Sequence, residues 1–130
     1  MSEREMTQRV LKAVSNPHVN MLGHPTGRLL LAREPYAIDL DAVIDACREH
    51  DVAIEINANP HRLDLDWRWA HRAYERGVLL AINPDAHSLA GYNDTRYGLN
   101  MARKAGLPRE VVLNTWDITA LLEKFRQKGK

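Results

Sequence analysis

Asp85 and His87 are the residues whose types and spacing most clearly suggest chemistry, in the segment Asn83-Pro84-Asp85-Ala86-His87. In an extended backbone, residues i and i+2 point to the same side, so this carboxylate and imidazole are expected to face one site together. Such ligands suit zinc, manganese or iron better than magnesium or calcium. The alternative is a loop in which Asp85 caps the following turn and His87 bonds to a backbone carbonyl.

A second histidine, His24, stands between Gly23 and Pro25. Glycine permits close approach of the backbone and proline fixes its own φ, so the imidazole is expected at a rigid turn. There it either joins Asp85 and His87 as a metal ligand or packs within the turn.

The acidic residue Glu55 lies within an apolar run, where an unpaired charge is costly. It either faces a polar interior near the metals or pairs with an arginine. We favour the first alternative, in which Glu55 and Asn57 support the metal ligands from behind.

Three further polar residues follow the same apolar runs and are candidate substrate contacts: Arg28, Asn59 and Arg62. Paired N–H donors of arginine suit a phosphate group. The alternative for either arginine is a solvated surface side chain.

Four short apolar runs along the chain predict strands at residues 19–22, 52–56, 78–82 and 111–113. Helical patterns precede or follow them, at residues 3–14, 39–49, 66–77, 95–106 and from 117 onward. One N-terminal helix plus about four βα units is therefore expected, with the candidate residues at the carboxyl ends of parallel strands. Helices on one side only would leave the second face of such a sheet uncovered, as in half of a βα barrel.

The composition is that of a soluble chain. Its nearly balanced charges give no overall positive field that would attract nucleic acid. The 130 residues carry a net charge of +1, with 45% hydrophobic and 27% charged residues. The N-terminus is charged and no apolar run approaches the length of a membrane span, so we expect neither a signal peptide nor a membrane partner. Cys47 is the single cysteine and falls on an apolar helical stripe, which favours a core residue in a reducing, cytoplasmic setting.

Four segments of the chain resemble a known family: GHPTGRLLLAREPY, AIEINANPHRLDLDW, INPDAHSLAGYNDTRYGLNMARKAGL and VVLNTWD. They are similar to the PHP (polymerase and histidinol phosphatase) domain, and more narrowly to its version in bacterial family X DNA polymerases, over residues 6–125. The resemblance implies a distorted seven-stranded TIM-like βα barrel with up to three divalent metal ions, manganese or zinc. It also implies phosphoester hydrolysis, seen in the polymerases as 3′–5′ exonuclease activity and processing of DNA ends in repair.

Carried over to this sequence, the resemblance makes His24, Asp85 and His87 metal ligands, with Asp85 and His87 also catalytic. Arg28 is then expected to clamp the phosphate.

The sequence also departs from the family pattern, because it contains no H-x-H motif. The resemblance therefore implies that residues 1–130 form a single partial PHP domain, the C-terminal half of the barrel. Its metal occupancy is expected to be low and its activity weak or absent.

Two alternatives to a DNA-processing phosphoesterase remain open. The first is a non-catalytic half-barrel that forms a homodimer or binds a complementing N-terminal half. The second is a phosphatase of small molecules, of the histidinol phosphatase type.

Overall fold

The computed structural model describes residues 1–128, within which side-chain caps begin four of the five α-helices. Ser2, Asp39, Asp66 and Asp117 each accept a hydrogen bond from a backbone N–H in the first turn of the helix that follows. These caps satisfy donors that the helix itself leaves free, so the sequence predicts the helix starts well. The helices are α1 (Glu3–Val14), α2 (Leu40–Glu49), α3 (Trp67–Glu75), α4 (Thr95–Lys104) and α5 (Ile118–Gln127).

Three strands form a parallel sheet in the order β1-β2-β3. They are β1 (Met21–Leu22), β2 (Ala53–Asn57) and β3 (Leu80–Asn83). The central strand pairs with both neighbours, and each is reached through a connection that contains a helix. The α/β class with parallel strands is thereby confirmed, whereas the seven-stranded barrel stays a prediction.

The predicted fourth strand at residues 111–113 is wrong. Val112 makes a single parallel bridge to Leu80 and lies between two short 3₁₀ turns. The side chain of Asn114 takes the place of a longer strand: its Oδ1 accepts from Ile82 N at 2.7 Å, and its Nδ2 donates to Ile82 O at 2.8 Å. An amide side chain carries the same donor and acceptor as a peptide unit, so it satisfies the open edge of β3.

The two faces of the sheet pack against different helices. Ile54 and Ile56 of β2 belong to the main core, together with apolar residues from α1 to α4. Ala53, on the opposite face, belongs to a second cluster against which Leu121 and Phe125 of α5 pack. The expected uncovered face is therefore partly covered by the last helix. Cys47 lies in the main core, as predicted, and no helix within residues 1–128 has the length and apolarity to cross a membrane.

Candidate functional site

His24 and Asp85 meet at the carboxyl end of the sheet, where the loops after β1 and β3 approach each other. His24 Nε2 lies 4.0 Å from Asp85 Oδ2. Both residues have a left-handed backbone, with φ of 46° for His24 and 55° for Asp85. Non-glycine residues adopt this conformation at a cost, and such positions concentrate at functional sites.

Asn57, the last residue of β2, contacts both of these side chains. Its fully buried Nδ2 lies 3.3 Å from Asp85 Oδ2 and 3.4 Å from His24 Nδ1. Its Oδ1 accepts from the backbone N–H of Asn59, which fixes the orientation of the amide group. The roles in the contact between Asn57 and His24 depend on the imidazole tautomer. Nδ1 accepts from Asn57 when the ring proton lies on Nε2, whereas Nε2 can bind a metal when the proton lies on Nδ1.

Glu55 holds the backbone of the histidine loop. The carboxylate is 8% exposed; Oε2 accepts from His24 N at 2.9 Å, and Oε1 accepts from Asn83 Nδ2 at 3.0 Å. Of the two alternatives for Glu55, the structure has the carboxylate beside the candidate metal ligands and not in an arginine pair. That Glu55 and Asn57 support the ligands of a bound metal stays a prediction.

Asp64 is a site residue that the sequence analysis missed. It is fully buried, and its carboxylate accepts from Thr26 N, from Thr26 Oγ1 at 2.9 Å and from Gly27 N at 2.9 Å. It thus anchors the loop that begins with His24. The only signal in the sequence is the alternation of aspartate with leucine in HRLDLDW, which also suits an exposed strand.

Tyr36 bonds to the same loop, because its hydroxyl donates to His24 O at 2.7 Å. Burial, and to a smaller extent the nearby Asp64 carboxylate, raise the pKa of Tyr36 above its ordinary value. The hydroxyl therefore remains protonated and able to donate at neutral pH.

His87 does not point from an extended strand beside Asp85, as the i, i+2 argument assumed. The strand ends at Asn83, and the left-handed backbone at Asp85 turns the following residues away. His87 is exposed, and its Nδ1 lies 2.7 Å from the carbonyl oxygen of Asp85. It is the contact expected from the alternative in which His87 bonds to a backbone carbonyl. Because an Nδ1–H that donates to a carbonyl leaves the lone pair on Nε2, the contact also suits a metal ligand.

The three predicted substrate residues lie in contrasting surroundings. Arg62 Nε lies 3.7 Å from Asp85 Oδ2, so its guanidinium is at the candidate site. Arg28 instead donates through Nε to Arg62 O at 3.0 Å and also to the carbonyl of Leu63. Asn59 Oδ1 accepts from the backbone of the turn that it begins, at His61 N. Contact with a substrate stays a prediction for all three.

The donor types at this site suit a divalent metal, but the number of convergent ligands is small. Within residues 1–128 no group of three or more histidine, cysteine, aspartate or glutamate side chains is arranged to hold an ion. The 4.0 Å between His24 Nε2 and Asp85 Oδ2 is close to the largest separation that one ion with bonds of about 2.1 Å could span. His24 and Asp85 are therefore two candidate ligands, with the Arg62 guanidinium beside the carboxylate.

The carboxyl end of a parallel βα sheet, where this histidine, aspartate and arginine lie, is the place at which α/β enzymes have their active sites. Comparison with known proteins narrows this class. The chain is 40% identical to DNA polymerase/3′-5′ exonuclease PolX of Bacillus subtilis (strain 168), over 94% of this chain and 22% of that protein.

It is also similar to probable phosphatases, with 29% identity to one from Thermoanaerobacter sp. (strain X514) and 28% to one from Clostridium acetobutylicum. Each match covers 95% of this chain and 50% of the relative. The chain thus spans about a fifth of the polymerase and half of the phosphatases. No protein-family model matches the chain.

These similarities confirm the resemblance to the PHP-containing region of a bacterial family X polymerase. The polymerase and the probable phosphatases both match over nearly the whole of this chain.

Proposed function

We propose that this chain carries part of a metal-dependent phosphoesterase site that acts on the ends of DNA strands. The observation that supports this most is the meeting of His24, Asp85 and Arg62 at the carboxyl end of β1, β2 and β3. It combines two metal-ligand types with a phosphate-binding cation. The similarity to a polymerase with 3′-5′ exonuclease in its name favours a nucleic-acid substrate over a small molecule.

In this proposal His24 and Asp85 would hold a metal, manganese or zinc, and His87 would offer its Nε2 to a further metal ion of the complete site. The metal supplies Lewis-acid chemistry and an activated water. Arg62 donates N–H groups to the phosphate, since its guanidinium already faces the carboxylate. Glu55 and Asn57 keep the two ligand loops in place through their bonds to His24 and Asp85.

The isolated chain is proposed to bind metal weakly and to have little or no activity. Two convergent protein ligands are fewer than the three that catalytic zinc sites usually have. A complementing segment would supply the remaining ligands. The homodimer stays a prediction, and sedimentation over a range of concentrations checks it.

A small-molecule phosphatase is the second candidate, because the chain covers more of the probable phosphatases than of the polymerase. Hydrolysis of p-nitrophenyl phosphate without release of nucleotides from a labelled oligonucleotide, in Mn²⁺, would favour it over the first.

The metal site is tested by NMR of the ¹⁵N-labelled chain during titration with Mn²⁺. The paramagnetic ion should broaden the amide signals of residues 23–24 and 85–87 first, and Asp85→Asn should abolish this selective broadening. His18→Gln, at an exposed histidine in another part of the chain, is the matched control and should titrate like the wild type. Broadening that Asp85→Asn leaves unchanged would contradict the proposed ligands.

A further inference from the structure

Residues 29–33 form a small hairpin, here called the leucine hairpin, at the same end of the molecule as the candidate site. Leu29 and Arg33 form an antiparallel bridge, with Leu29 N to Arg33 O at 2.9 Å and the reverse bond at 2.8 Å. Leu31, at its tip, is fully exposed and has a φ of 64°. Leu30 beside it is also exposed.

This hairpin is bonded to two loops that carry residues of the candidate site, the loops after β1 and β2. Leu30 N donates to His61 O at 2.7 Å, which ties it to the loop that carries Arg62. Arg33 Nε donates to Gly27 O at 2.9 Å, which ties it to the loop that begins with His24. The tip therefore keeps a fixed position relative to the site.

Exposed leucines are common singly, but two adjacent ones on a braced tip form a rigid apolar projection. The left-handed backbone at Leu31 carries a conformational cost that Asn or Gly would reduce. The structure thus has an apolar side chain at a position whose backbone favours other residues.

We propose that the leucine hairpin packs against the terminal bases of a nucleic-acid strand whose phosphate lies at Arg62. This inference rests on the proposed function and names the part of the substrate that lies beyond the phosphate. Two cationic residues lie close to the hairpin, while apolar groups lie at its tip. Arg33 is its last residue, and Arg62 follows His61, whose carbonyl accepts from Leu30 N. A strand end offers the matching order, anionic phosphate first and then the apolar faces of bases.

The test is binding of a single-stranded oligonucleotide with 2-aminopurine at its 3′ end, in Mn²⁺, followed by fluorescence. Leu31→Asn and Leu30→Ser should each weaken binding about fivefold to tenfold and reduce the fluorescence change. Asparagine is chosen at position 31 because it tolerates the left-handed backbone there. Leu122→Ser, at a leucine that is 50% exposed on α5, is the matched control and should bind like the wild type. Thermal unfolding of each variant checks that the fold is retained.

The failure of this inference is distinguishable from that of the proposed function. If Arg62→Gln weakens oligonucleotide binding while both leucine variants bind like the wild type, the inference is wrong and the phosphate site stands. If the wild type binds no oligonucleotide, the nucleic-acid function is contradicted and the inference with it. If the leucine variants lose binding only to vesicles of phosphatidylglycerol and phosphatidylcholine, the hairpin contacts lipid and the inference is also overturned.

Discussion

Replacing Asp64 should test the buried anchor of the histidine loop. In Asp64→Ala, three donors lose their acceptor: Thr26 N, Thr26 Oγ1 and Gly27 N. An unsatisfied buried donor costs about 1–3 kcal/mol, and bonds to a charged acceptor lie at the upper end of the usual range. We therefore expect Asp64→Ala to lower the free energy of unfolding by about 3–5 kcal/mol, a large part of the stability of a small domain.

Urea denaturation followed by tryptophan fluorescence measures this loss. Thr26→Val removes only the hydroxyl donor at nearly constant volume and should cost about 1–1.5 kcal/mol, so it remains measurable if Asp64→Ala does not fold. Asp45→Ala, at an exposed carboxylate in a surface ion pair with Arg76, is the control and should cost under about 1 kcal/mol. If Asp64→Ala costs no more than Asp45→Ala, the buried anchor does not exist.

Three further predictions concern the packing of the sheet and the core. Asn114→Ala leaves Ile82 N and O without their partner and should lower the free energy of unfolding in urea by about 1–3 kcal/mol; no change would mean that the edge of β3 finds other partners. Burial raises the pKa of Cys47 from its ordinary value of 9.0 to about 12, so a disulfide reagent at pH 8 should react on the order of a hundredfold or more slowly with the folded chain than with the urea-unfolded chain. Because the folded thiol holds its proton more tightly, this contribution to stability is complete below pH 9 and is lost as the pH rises toward 12. Gly98→Ala places a methyl group 2.5 Å from Ile82 Cγ2 and 2.7 Å from Ala58 Cβ, so a calorimetric scan should show a lower Tm despite the better helix propensity of alanine; an unchanged Tm would mean that α4 shifts freely.

The helices of this fold are predictable from the sequence because their signals are local. Asp39 and Asp117 cap the helices that immediately follow them, and Gly77 and Gly106 follow the ends of α3 and α4 with positive φ. Each of these features depends on a few neighbouring residues, so periodicity and capping suffice. The expected strand at residues 111–113 failed because Asn114, just beyond it, supplies the hydrogen bonds from its side chain.

The meeting of two candidate site residues was predictable from the sequence, but the geometry around them was not. His24 and Asp85 meet as expected, because loops after parallel strands converge. The relation of Asp85 to His87 was not predictable, since the left-handed backbone at Asp85 breaks the extended pattern. Asp64 went unnoticed because its partners, Thr26 and Gly27, lie far away in the sequence.

The central strand explains why three strands are enough to position this pair of ligands. His24 and Asp85 come from loops after the outer strands, and both have backbones that are costly on their own. Glu55 and Asn57 of β2 bond to these loops, and Asp64 pairs with Asn57 across a short bridge while it holds the far side of the histidine loop. The geometry of the pair is therefore fixed by contacts within residues 1–128. A segment that completes the site needs to add ligands without rearranging those already present, so we expect complementation to raise metal affinity with little change at His24 and Asp85.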